Sequence, residues 1–261
     1  MVAPSPDVFD HSLHNILRRS NRRPGINDAL IRPNDETKLD ISYSTLLRNR
    51  AVMRGRIRTL VVLVDFQDVK FDERQNKSYY EALWFGAKSA NSVNSYFQDV
   101  SKEKVSIYGD VKGPYTLSHN MSYYANRSFG LGITTPNAMT MAREAVLSAV
   151  RDQINFWLYD NDHDGFVDSL VIVHAGPGAE STGIGDDIWS HKGVLDGDLG
   201  PVIVQDREYL TNIFSFITIG ADSKLGVCAH ELGKLAFGWP DLFDAKLRIV
   251  RDRELVSDGV R

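Results

Sequence analysis

The 261-residue sequence predicts an α+β domain built around one main sheet, and three observations lead there. Short β-branched apolar runs recur at Leu60–Phe66, Leu170–His174, Val202–Val204 and Ile213–Ile219, each of strand rather than helix length. Between them lie segments with helical spacing and with helix start and stop residues. The two kinds follow one another without regular strand–helix–strand alternation, which favours α+β.

Taken in order, residues 1–56 are punctuated by Pro4, Pro6, Pro24 and Pro33 and end in an arginine cluster, so they read as a leader, linker or propeptide remnant. The run Leu60–Phe66, closed by Asp65 and Gln67, is the first buried strand. Ser92–Val100 has the pattern of a short amphipathic helix, and Val105–Val111 alternates as a strand that should stop at the Gly113-Pro114 turn signal. Tyr115–Asn126 reads as an aromatic loop. Thr134, Thr135 and Pro136 supply a cap and a first-turn proline for the next helix, expected to end near Tyr159. Its stripe of Ala138, Met141, Ala142, Ala145 and Ala149 suits close packing on a sheet.

The bulk numbers exclude some classes. A hydrophobic content of 43% allows a sizeable core. A net charge of -4 gives no reason to expect nucleic acid or an anionic membrane as partner. No apolar run approaches the roughly 18 residues of a membrane span. Residues 1–30 lack the apolar centre of a signal peptide, so either the chain stays inside the cell or its true start lies upstream of Met1. Cys228, the single cysteine, excludes an internal disulfide.

Two stretches carry chemistry. From Asp160 to Asp168 acidic residues alternate as Asp160, Asp162 and Asp164, followed by Gly165 and then Asp168. That spacing bends a loop so that carboxylate oxygens converge on one hard cation, with calcium the candidate. Val171 falls where a calcium loop would close with Glu, and an Asx-rich surface turn is the other reading. The second stretch is Gly226–Leu235, read as a helix capped by Asp222 or Ser223 and stopped by Gly238 and Pro240. On it His230, Glu231 and Lys234 share a face. With His at 234 this would be the zinc-protease motif, two imidazoles on the metal and a glutamate as general base. His174 and His191 read more readily as hydrogen-bonding structural residues than as ligands.

Several longer segments resemble one family. TLVVLVDFQDVKF at 59–71, the stretch 92–124, LYDNDHDGFVDSLVIVHAGPGAE at 158–180, DDIWSHK at 186–192 and GVCAHELGKLAFGWPDLFD at 226–244 are together similar to the secreted immune inhibitor A zinc metallopeptidases, peptidase family M six. The resemblance implies a zincin-like fold for residues 57–244, with a twisted, mostly parallel mixed sheet, a backing helix and an active-site helix. It implies zinc as cofactor, a protein or peptide substrate, and secretion. Carried over, His230 is the first zinc ligand, Glu231 the catalytic base, and Asp241 a third-ligand position with Asp244 its neighbour.

The sequence departs from the family in two places. Lys234 occupies the second histidine position, and lysine binds zinc only as a neutral amine. Deprotonating it at pH 7 costs about 4.6 kcal/mol from its ordinary pKa. A protonated Lys234 is expected to lie against Glu231, three residues back. Residues 245–261 are charged and unlike the family's glycine-rich continuation and methionine turn, so they read as a divergent tail that truncates the domain. The expectation is a zinc metalloendopeptidase-type domain impaired or inactive in this chain. The alternatives are a non-catalytic zincin-fold protein that binds partners, or a truncated gene product.

Overall fold

The computed structural model describes residues 53–87, 90–195, 200–206 and 209–239. The expected leader up to residue 52, the tail 245–261, and Pro240, Asp241 and Asp244 lie outside these residues.

The first strand, β1 (Gly55–Asp65), starts just ahead of the expected domain boundary and is buried along its second half. Two helices follow, α1 (Lys77–Phe85) and α2 (Val93–Val100). Ser92 caps α2 in a reciprocal box with Ser95. The next strand, β2 (Val105–Thr116), pairs parallel with β1. It does not stop at Gly113-Pro114 as expected. Proline lacks a ladder donor, but β2 is an edge strand and Pro114 sits at a register shift, where that loss is tolerated.

The aromatic segment expected to be a loop contains a short helix, α3 (Met121–Ala125). The next helix, α4 (Ala138–Arg151), is capped by Asn137 rather than by the threonines before Pro136. Asn137 and Thr140 exchange side-chain and backbone bonds, a reciprocal box that fixes the start. The helix ends before the expected Tyr159, and a separate 3-10 turn over Phe156–Tyr159 follows.

Then come β3 (Leu170–His174), the short α5 (Ala179–Thr182), β4 (His191–Val194), β5 (Val202–Asp206), β6 (Tyr209–Ile213) and β7 (Ser215–Gly220). The run Ile213–Ile219 thus divides between β6 and β7. The main sheet has the order β2-β1-β3-β7-β4, parallel except for β4, which runs antiparallel beside β7. β5 and β6 form a separate antiparallel hairpin. The last described helix, α6 (Leu225–Phe237), follows β7 directly.

Two apolar layers cover the sheet. One face carries α3 and α4, with Leu60, Val62, Ile172 and Phe216 meeting Tyr124, Met141 and Ala145. The other carries α1, α2 and α6, with Val61, Leu63, Val173 and Ile217 meeting Trp84, Phe97, Leu232 and Ala236. Burying both faces explains why these strands read as unbroken apolar runs. The result is a zincin-like α+β architecture with a mostly parallel mixed sheet.

Candidate metallopeptidase site

α6 begins at Lys224 as cap residue, without a side-chain capping bond. Asp222, expected as a cap, instead accepts the Gly178 amide at 2.8 Å and ties the loop after β3 to the loop after β7. At the other end Gly238 adopts φ 66° and its amide returns to the Gly233 carbonyl, a left-handed stop that glycine makes without strain. Trp239 folds back over Gly233, where a methyl group would overlap its ring.

The helix buries Cys228, Ala229, Leu232, Leu235 and Ala236 against the sheet. Burial pushes the Cys228 thiol up to about 12, which removes it as a thiolate nucleophile. Glu231 and Lys234 turn inward too, their side chains 0% and 2% exposed. Lys234 Nζ lies 3.3 Å from Glu231 Oε2. His230 is partly exposed, with Nε2 3.9 Å from Glu231 Oε1. Lys192, on β4, donates Nζ to the Lys234 carbonyl at 2.9 Å. It satisfies a carbonyl of the last helical turn, which has few partners within the helix. The residues that share a helix face in the sequence are therefore brought together, but around an ion pair.

Among the described residues, His230, Glu231 and Lys234 offer one imidazole, one carboxylate and an amine, which is poorer than the imidazole, thiolate and carboxylate sets that zinc prefers. Among the described residues, the one group of three or more His, Cys, Asp or Glu side chains converging at metal-ligand distance lies elsewhere, in the acidic loop.

That loop gathers Asp160, Asp162 and Asp168, with ligand atoms within 4.8 Å of one another. Asp164 is not part of the group; its Oδ1 accepts the Phe166 amide at 2.9 Å. Gly165, at φ 89°, makes the sharp turn, and its amide donates to Asp160 Oδ2. Burial pushes the Asp160 carboxyl up; the Gly165 and Asp164 amides pull it back, and nearby Asp162 adds to the rise. Asn161 brackets Arg58 of β1, accepting its amide and donating to its carbonyl.

His174 and His191 are buried, and each places Nδ1 on a backbone carbonyl, of Ala175 and Trp189 respectively. That agrees with a structural role. Two contacts had no local signal. Glu180 accepts both the amide and the hydroxyl of Ser190, pinning the start of β4. Lys192 reaches α6 across 42 residues of sequence. Only the pairing of β4 with β7 places that ammonium beside the helix.

Residues 49–252 match the family profile described as immune inhibitor A peptidase M6, catalytic domain. The pre-pro-metalloprotease PrtV of Vibrio cholerae is 30% identical over 72% of this chain and 25% of its own length. Immune inhibitor A of Bacillus thuringiensis subsp. alesti is 25% identical over 72% of this chain and 33% of its own length. The chain thus spans a quarter to a third of the curated relatives it matches. With the profile covering most of the chain and the zincin-like architecture beneath it, the chain belongs to the immune inhibitor A family of M6 metallopeptidase domains.

Proposed function

We propose that this chain is an M6 metallopeptidase domain that no longer hydrolyses peptide bonds, and that it acts by binding protein or peptide. One observation carries the reading: the buried contact between Lys234 and Glu231. In a working zincin the glutamate deprotonates a metal-bound water. Here a tethered ammonium supplies the positive charge and neutralises the base. Retained peptide binding is supported by β4, which among the described residues pairs with β7 on one side only. Such an edge can accept an extended peptide as an added strand. A secreted location follows from the family resemblance alone.

The test is peptide hydrolysis with a quenched fluorescent casein, with zinc supplied. The expected outcome is no chelator-sensitive turnover. Turnover that a chelator stops and Glu231→Gln abolishes would overturn the proposal.

The acidic loop supports a finer proposal, that Asp160, Asp162 and Asp168 hold calcium. Calcium added after EDTA treatment should raise the melting temperature. Each kcal/mol of linkage is worth roughly 2–4 °C in a domain of this size. An unchanged melting temperature at millimolar calcium contradicts it.

A further inference from the structure

A crevice lies beyond the carboxyl ends of β1 and β2, at the edge of the main sheet away from β4. β1 and β2 are neighbours, yet the chain leaves their carboxyl ends toward opposite faces. β1 leads to α1 and α2, whose Trp84 and Phe97 pack on the α6 side; β2 leads to α3 and α4, whose Tyr124 and Met141 pack on the other. Loops beyond these strand ends line a cavity of about 690 Å³, within the roughly 300–1,000 Å³ of small-ligand sites. Gln67, just after β1, and His119, just after β2, both line it.

The lining has a particular chemistry. Every residue in it is polar or aromatic. The Tyr123 ring stacks on His119 at 3.9 Å and 10°, and Tyr124 meets it edge-on. Tyr123 is held in place while remaining 40% exposed. Gln67 donates its amide to the Leu117 carbonyl and Asn126 donates its own to the Pro136 carbonyl. These bonds orient both side chains and leave each amide oxygen as an acceptor. Arg127 and Asp186 add one guanidinium and one carboxylate.

We propose that this crevice binds a neutral saccharide. Planar amide, carboxylate and guanidinium groups pair with adjacent hydroxyls, and the exposed tyrosine face suits the apolar C–H face of a sugar ring. The lining carries one guanidinium, of Arg127, and one carboxylate, of Asp186, so it has no excess of positive charge to draw phosphate or a polyanion. The lining has no aliphatic side chain to hold an apolar peptide residue. The inference does not depend on the state of the Lys234 site.

The test is saturation-transfer NMR and titration of the full chain with maltotriose, cellotriose and tri-N-acetylchitotriose. At least one should bind. Tyr123→Ala and Asp186→Ala, both at exposed positions, should each weaken binding about tenfold or more without moving the urea midpoint. Tyr123→Phe should keep binding, because the ring platform remains, and Lys234→His should leave it unchanged. The proposal is overturned if none of the three binds, if binding survives both alanine changes, or if inorganic phosphate or glycylglycine displaces the saccharide.

Discussion

Glu231 and Lys234 are both buried on α6, with Lys234 Nζ 3.3 Å from Glu231 Oε2. Two charges removed from water need one another, and truncating one partner of such a pair costs about 3–5 kcal/mol. Lys234→Met and Glu231→Leu are each expected to lower stability by about that much in urea unfolding. The double variant should recover most of the loss, since two apolar side chains replace the pair. Strictly additive losses would show that the contact is not what holds the two residues there. The sequence makes the shared face of His230, Glu231 and Lys234 legible, because helical spacing is local. It does not reveal that Lys234 is buried, because that depends on β4 and β7 closing over the helix.

At the scale of elements, the apolar strands are legible because both sheet faces are covered. Boundaries are less so where side chains compete. Asn137 displaces the threonines as the cap of α4, and Pro114 stays within a strand because that strand is an edge. The hairpin of β5 and β6 pairs with itself rather than joining the main sheet. The Asp160–Asp168 loop locks onto it, with Asn212 accepting the Val167 amide and donating to the Gly165 carbonyl.

Asp110 of β2 joins Arg58 of β1 to Tyr159 of the 3-10 turn, at 2.9 Å to each. Burial pushes its carboxyl up, but the bonds from Arg58 and Tyr159 outweigh this and hold it below the usual range. A carboxyl lowered in the fold contributes stability above its unfolded pKa and loses it as pH falls through the folded one. Acid unfolding of the native chain should therefore steepen below about pH 4, the ordinary aspartate value. Asp110→Asn should flatten that limb while changing the neutral-pH slope little. An identical acid limb in the variant contradicts the assignment.

Across the whole molecule, the M6 architecture is retained, and α6 carries the buried Lys234–Glu231 ion pair. α6 packs on β7 and β4 at one side of the sheet, and the polar crevice opens beyond β1 and β2 at the other. The crevice had no sequence signal, since its walls come from loops that only the crossover topology brings together. The most direct measurement is the zinc content of the purified chain by mass spectrometry, after exposure to zinc and removal of excess metal. With Lys234 seated on Glu231, the native chain should hold far less than one zinc per molecule. One tightly held zinc per native chain would mean that the metal displaces this ion pair, and the account of the site would be wrong.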